Sequence, residues 1–291
     1  MPKGIPAAGF RRRGAARDVA AFNSHTNTHT GEFVETVTET DEEIETRLND
    51  AFDVLSLITQ AAVDGHTKAI IVSGAPGLGK SYTVEDVVGK IGERAGFVKG
   101  FARPTGIYKT LYEYKHSGNV VVFDDCDSVF SDETALNLLK AACDSLDTRR
   151  INWGAETNMI SSDGSNMPRQ FEFDGAIIFI TNLDFEAMIA SGNKLAPHLE
   201  ALMSRAHYIN LGMKGKRDYL VRIKQVIKAG MLLKRGVSEA QQDEILSFIW
   251  ENVDKFRELS LRMVIKASDL FKSHPDQWKR IAASTLFKSV R

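Results

Sequence analysis

Residues 74–81 read Gly-Ala-Pro-Gly-Leu-Gly-Lys-Ser. That is the spacing G-x-x-x-x-G-K-[ST], which cradles the phosphates of a nucleotide. A loop that wraps a triphosphate turns its backbone N–H groups inward, and residues without a Cβ allow the closest approach. Gly74, Gly77 and Gly79 supply that freedom, with Ala75, Pro76 and Leu78 completing the loop. Lys80 brings a point charge to the β- and γ-phosphates, and the Ser81 hydroxyl can complete a Mg²⁺ shell. Tyr82, the next residue, is counted with the nucleotide-binding set. The ligand implied is ATP with Mg²⁺.

Such a loop works only between a strand and a helix, so that the helix N-terminus points at the anion. The sequence predicts both. Ala69-Ile70-Ile71-Val72 is an apolar run of buried-strand type, and 82–91 places Val84, Val87, Val88 and Ile91 on one helical side. Upstream, Thr40-Asp41-Glu42-Glu43 has the form of a capping box, followed by Ile44, Leu48, Phe52, Leu55 and Ile58 at helical spacing.

Two further apolar runs end in polar residues of chemical interest. Val120-Val121-Val122-Phe123 leads into Asp124-Asp125-Cys126-Asp127. A carboxylate at the end of a strand neighbouring the loop strand reaches the Mg²⁺ shell, the Walker B position. Asp124 is assigned there, and Asp125 then sits where an acid polarises the attacking water. The alternative is an ordinary acidic loop. The run 176–180 ends in Thr181-Asn182, whose amide is placed to orient that water.

Between these runs, 97–103 is expected as a strand, broken by Pro104-Thr105-Gly106, and 108–114 as a helix with Leu111 inward. Ser131-Asp132-Glu133-Thr134 caps a helix running to Leu146. Short strands are expected at 149–153 and 170–173, around a polar loop at 154–169. Apolar strands alternating with helices argue a parallel α/β sheet. Beyond 215 the pattern becomes helical throughout, with helices expected at 216–231, 238–255, 259–272 and 275–290. The organisation expected is a flexible basic arm at 1–30, an α/β domain at 31–214 and a small all-helical lid at 215–291.

With 291 residues the chain can bury a sizeable core. Its 37 Lys and Arg balance 38 Asp and Glu, so net charge points to no polyanionic partner. The charge is uneven, however. Lys3, Arg11, Arg12, Arg13 and Arg17 stand in a start without acids, 32–50 is strongly acidic, and 214–235 is basic. The two cysteines, Cys126 and Cys143, offer neither a disulfide framework nor metal-ligand spacing, and they suit a reducing compartment. No apolar run is long enough to span a bilayer, and the basic start lacks the apolar core of a secretory signal. A cytoplasmic setting is expected, without membrane partners.

The loop at 74–81, the VVVFDD strand, the FITN strand end, Ser204-Arg205 and a closing helical domain stand in the order found in AAA+ ATPases. The chain resembles that family over roughly residues 40–285, and 109–205 also resembles AAA+ ATPases encoded by bacteriophages. The resemblance implies ATP hydrolysis by a ring or open-ring homo-oligomer, in the host cytoplasm for a viral protein. It implies that Asn182 is sensor 1 and that Arg205 is an arginine finger serving a neighbouring subunit. It implies that Arg262, in Leu259-Ser260-Leu261-Arg262, is sensor 2. One departure stands out: the family carries Glu where this chain has Asp125, one methylene shorter, which points to slow hydrolysis.

Three segments are candidates for contact with a DNA or protein client. Residues 106–109 hold Tyr108, either an aromatic that grips a polypeptide or a residue packed at a helix start. A β-hairpin at 149–173 would be flanked by Arg149, Arg150 and Arg169, or else it is a surface excursion. The arm around Arg11-Arg12-Arg13 binds phosphate backbones or simply solubilises the chain. The function expected is a DNA-linked motor or loader. A protein-remodelling chaperone and a slow nucleotide-dependent scaffold are the alternatives.

Overall fold

Three five- or six-residue strands, β1 (Ala69–Ser73), β3 (Val120–Asp124) and β6 (Ala176–Thr181), are buried at every position. A strand buried on both faces needs helices on both, which is the reason for a parallel sheet here. The computed structural model describes residues 39–154 and 159–289. Among these, the main sheet adds β2 (Ala95–Lys99) and β7 (His207–Asn210) in the order β2-β3-β6-β1-β7, all parallel. The register pairs Ser73 with Thr181 and Asp124 with Ile180, so the ends of β1, β3 and β6 finish level. The basic arm at 1–30 and residues 31–38 lie outside the described residues.

Alternation along each strand sorts the layers. Ile70, Val72, Val120, Val122, Ile178 and Ile180 point to one face. They meet α1 (Asp41–Val63), through Leu48, Phe52 and Leu55, and α2 (Lys80–Val88), through Val84 and Val88. Thr40 caps α1 with the reciprocal Thr40–Glu43 bonds that its sequence predicts. On the other face Phe123 stacks on Phe179, which meets Phe130, and Phe130 meets Phe185. Phe185 opens α5 (Phe185–Ala190). This five-stranded sheet between helices, with a helical C-terminal region, is the α/β P-loop fold the sequence implies.

Several boundaries differ from expectation. The helix expected from Tyr108 begins earlier, as α3 (Pro104–Glu113), because Pro104 sits in the first turn, where a missing N–H costs nothing. Tyr108 is therefore an interior helical residue. It is fully buried, donates to Pro168 O at 2.9 Å and packs on Trp153 and Phe171. That settles it as a packing residue and not a gripping aromatic. The most exposed aromatic of this region is Phe101, 66% exposed, just after β2, with Phe97 on β2 also exposed.

The expected hairpin exists, as β4 (Arg149–Asn152) paired antiparallel with β5 (Gln170–Phe173). Its arginines do not all face outward. Arg149 is only 2% exposed: it donates to Ala142 O at 2.8 Å and to Gly175 O at 2.7 Å, and lies over the Phe173 ring. It ties the hairpin to the end of α4 (Glu133–Ala142) and is not a surface cation. Arg150 pairs with Glu172 across the hairpin.

The C-terminal helices are α7 (Lys216–Lys228), α8 (Glu239–Glu251), α9 (Leu261–Ser273) and α10 (Trp278–Leu286). They share a second core around Ile223, Ile249, Phe256, Val264 and Trp278. The helix α7 serves both cores, since Val221 packs with α1 while Ile223 and Ile227 face the helical cluster. In chain order, α5, α6 (Ala196–Met203) and the edge strand β7 stand between β6 and these helices. No helix among the described residues is long and apolar enough to cross a membrane.

Arg149 generates a stability test. Arg149→Ala leaves two carbonyls without their charged donor and should lower unfolding free energy by about 2–4 kcal/mol. Denaturant melts of parental and variant protein check this, and coincident melts would show that the Arg149 bonds contribute nothing.

Candidate nucleotide site

The site forms where the level ends of β1, β3 and β6 meet the N-terminus of α2, the crevice beyond the carboxyl ends of parallel strands. It is a cleft of about 600 Å³ between the sheet and the C-terminal helices. Pro76 to Thr83 line it together with Asp125, Asn182 and Arg262. The strand carrying Asp124 is not next to the loop strand, as the sequence reading supposed. The strand β6 lies between them, so that Asn182 stands between the loop and the acids.

Lys80 is 5% exposed and donates to Gly74 O at 2.6 Å, Ala75 O at 2.9 Å and Asn182 Oδ1 at 3.0 Å. Burial pulls its pKa down to about 8, against the charges of Asp125, Asp127 and Asp124, which hold it up. The other end of the same amide, Asn182 Nδ2, donates to Asp125 Oδ1 at 2.7 Å. One asparagine thus joins the cation of the loop to the acid that follows β3. Arg262 Nη2 lies 3.9 Å from the second oxygen of Asp125.

Ser81 Oγ donates to Asp124 Oδ1 at 2.9 Å. Asp124 is buried, and burial raises its pKa, with Ser81 opposing. A hydroxyl and one carboxylate are the hard oxygen set by which proteins hold Mg²⁺, leaving its other positions to water and phosphate. The residues present therefore fit Mg²⁺ with a nucleotide. The described residues contain no cluster of three or more His, Cys, Asp or Glu able to hold a metal by themselves. The cysteines are buried, and burial pushes Cys126 up to about 11 and Cys143 to about 12, leaving both as inert thiols.

The glycines answer to protein neighbours as well as to an anion. Gly77 has φ +73°, and a Cβ there would stand 2.6 Å from Ser260 Cβ, at the head of α9. Gly77 O also accepts from Leu261 N–H at 2.8 Å. Gly79, at φ +99°, is the left-handed residue from which α2 starts. The loop is thus clasped from outside by the C-terminal helices.

The sequence reading missed two participants. Asp127 accepts from Thr181 Oγ1 at 2.6 Å, and burial raises its pKa. It fixes the turn after β6 from which Asn182 projects, and its position three residues past Asp124 was the available signal. Arg222, on α7, lies 3.4 Å over the Phe52 ring, donates to Leu78 O at 3.3 Å and lines the cleft. Burial lowers its pKa to about 10. Tyr82 lines the cleft with an exposed ring. Arg205 lies outside this cleft. Its Nη1 donates to Ala201 O at 2.6 Å, and its Nε is 3.9 Å from Asp144.

The buried ammonium generates a pH test. Its folded pKa, about 8, is below the ordinary 10.5. Between those values the folded state binds fewer protons than the unfolded state, so stability rises with pH there and the unfavourable contribution is full below about 8. Relative to Lys80→Met, the parental chain should gain up to about 3 kcal/mol as pH rises through this window. Urea unfolding of both proteins at several pH values measures it. A stability difference that does not move with pH would mean the ammonium titrates as it does in water.

No protein-family model matches the chain. Among solved structures, domain III of the Thermotoga maritima replication initiation protein DnaA is similar at 12% identity, TM-score 0.49, covering 83% of this chain and 92% of that one. The Thermotoga maritima RuvB Holliday junction branch migration motor is similar at 12% identity, TM-score 0.44, covering 84% and 68%. NtrX from Brucella abortus, in complex with ATP, is similar at 12% identity and TM-score 0.44; the match covers 94% of this chain and only 58% of NtrX. A much nearer relative is an uncharacterized 36.7 kDa protein of the nrdC-mobD intergenic region of Enterobacteria phage T4. It is 35% identical over 275 residues, 92% of this chain and 83% of the relative. The chain belongs to the family of this phage T4 protein, and its motifs and sheet order give it the AAA+ P-loop fold.

Proposed function

We propose that this chain binds Mg·ATP in the cleft and hydrolyses it, working as a DNA-linked motor or loader assembled as a ring or open-ring homo-oligomer. The observation that carries the ATPase reading is the line Lys80–Asn182–Asp125, with Arg262 beside it. It sets a cation, an amide and a carboxylate around the place where a γ-phosphate and an attacking water would meet. Lys80 and Arg262 face the phosphates, Asn182 orients the water, and Asp125 accepts its proton. The Ser81 hydroxyl and Asp124 hold Mg²⁺, which supplies charge neutralisation on the phosphate oxygens. Residues 31–214 form the ATPase domain in this reading and 215–291 its lid. The phage relative favours action in the host cytoplasm.

The DNA link rests on the resemblance to AAA+ proteins and on the basic start of the chain. A protein-remodelling role has one observation in its favour, the exposed Phe101 between Lys99 and Arg103. A slow, switch-like scaffold is favoured by the short Asp125 side chain, which Asn182 already engages. Stimulation of ATPase activity by single-stranded or duplex DNA separates the first reading from the others.

Asp125→Asn should keep ATP binding and lose turnover, by about 10²-fold or more. Single-turnover hydrolysis with labelled ATP checks it, and an undiminished rate would remove Asp125 from the reaction.

Because Arg205 lies outside its own cleft, we assign it to a neighbour's site. Specific ATPase activity should then climb with protein concentration until assembly saturates. Arg205→Ala should bind ATP yet turn over about 10³-fold more slowly, the lower range known for arginine fingers in GTPases. Mixing it with Lys80→Ala should restore part of the rate, since mixed interfaces pair an intact loop with an intact arginine. Concentration-independent activity without rescue would place the whole site in one subunit.

A further inference from the structure

Among the cations that line the cleft, Arg222 on α7 stands without a counter-charge. Lys80 has the carboxylates of Asp125, Asp127 and Asp124 near it, and Arg262 lies 3.9 Å from Asp125. Arg222 makes no ion pair among the described residues. Burial alone pulls its pKa down to about 10, with no charged neighbour contributing. A guanidinium taken partly from water in this way is unfavourable until an anion or a set of acceptors meets it.

Its position is fixed. The Cζ lies 3.4 Å over the Phe52 ring, and Nε donates to Leu78 O at 3.3 Å. These contacts occupy one face and one donor. Nη1 and Nη2 find no acceptor among the described residues, and neither is sealed from solvent, in contrast to the buried Nε of Arg149. Arg222 is half-buried and lines the cleft, so this free donor edge is within reach of a ligand. It also stands at the loop: a Cβ on Gly79 would lie 3.6 Å from Nη2. Gly79 is the residue from which α2 starts, and the N–H groups of a first helical turn have no partner within their helix. The open edge of Arg222 and the start of α2 therefore border one stretch of cleft, approached from the C-terminal helices and from the sheet.

We propose that Arg222 binds the phosphate chain of the nucleotide, its Nη edge donating to the oxygens of a phosphate that does not react. A planar guanidinium suits such oxygens, which can accept two parallel N–H bonds. The restriction to a non-reacting phosphate follows from charge. Asp125 and Arg262 flank the place where water would attack, and neither moves the pKa of Arg222, so Arg222 stands away from that end of the chain. Its contact would be the same before and after the γ-phosphate leaves. It would strengthen binding of ATP and ADP alike, while joining α7 to the loop through both Leu78 O and the ligand. This proposal rests on the nucleotide-binding reading above and adds to it a second phosphate cation, carried by the C-terminal helices.

The test is a set of binding titrations on the full chain with ATP, ADP and inorganic tripolyphosphate, which has neither base nor sugar. Arg222→Gln should weaken all three by about 10-fold to 100-fold, the range for a hydrogen bond from a charged group. Arg222→Lys keeps the charge but cannot reproduce the Nε bond to Leu78 O, and it should recover most of the lost affinity. Arg222→Met, whose stem still covers Phe52, carries the same comparison where Arg222→Gln does not fold. Unchanged tripolyphosphate affinity in either neutral variant would overturn the proposal. A loss for ATP with none for ADP would do so too, because it places Arg222 on the reacting phosphate. An equal loss in Arg222→Lys and Arg222→Gln would reduce the residue to a structural tie between α7 and the loop. If the parental protein binds none of the three ligands, or Lys80→Ala binds them as well as the parent, the loop assignment itself has failed and Arg222 falls with it. Binding that is lost in Lys80→Ala and untouched in Arg222→Gln would leave the loop intact and defeat only the role of Arg222.

Discussion

The site is organised around one buried ammonium. Lys80 is taken from water almost completely and is matched by three oxygens: two carbonyls of its own loop and the amide of Asn182. A cation in this position is tolerated only with such partners. The carbonyls of Gly74 and Ala75 can turn to it because the loop leaves β1 sharply, and the amide reaches it because β6 lies directly against β1 in register. The ammonium therefore ties the curvature of the loop to the sheet order. Three carboxylates stand near enough to favour its charge while only one chain of bonds leads from it to them, through Asn182 to Asp125. A phosphate chain entering on the proposed reading would offer Lys80 better acceptors than neutral carbonyls, and would release Asn182 from half its present bonding.

The Asp at position 125, where the family resemblance leads one to expect Glu, has a backbone reason. Asp125 is the only non-glycine residue with positive φ among those described, at +52°. The left-handed conformation is tolerated best by Gly, and next by Asn and Asp. Its N–H still donates to Ile180 O at 3.0 Å, prolonging the β3–β6 ladder by one bond while the chain turns. That turn aims the carboxylate at Asn182 and Arg262. A Glu here would have the longer reach and pay about 1 kcal/mol in backbone strain. The shorter side chain and the tighter turn belong together, so reach cannot be judged from side-chain length alone.

Legibility in the sequence followed the strength of the periodic signal. Strands buried on both faces are unbroken apolar runs, so β1, β3 and β6 and the polar residues at their ends could be read directly. The capping box at Thr40 and the four closing helices were legible for the same reason. The edge strand β7 was not: His207-Tyr208-Ile209-Asn210 is only partly buried and carries no run. Arg149 misled because a cationic residue near a loop looks like a contact residue, whereas for Tyr108 the sequence left both gripping and packing open and the structure chose packing. Nothing in the spacing shows that the Arg149 guanidinium finds two backbone carbonyls and a ring. The cleft wall that holds Arg222 was hidden differently. Its spacing is that of any amphipathic helix, and only packing shows that this face borders a cleft and not water.

The same packing links two arginines that the sequence treats separately. Arg149 holds Ala142 O and Gly175 O, fixing the end of α4 to the hairpin and to the start of β6. Two residues past Ala142, Asp144 faces Arg205, whose Nη1 is also bonded at the end of α6, where backbone carbonyls favour a cation. Arg205 is thus held between two helix ends, and one of these is bonded by Arg149. If Arg205 acts on a neighbouring subunit, its reach is set by the hairpin as much as by its own helix.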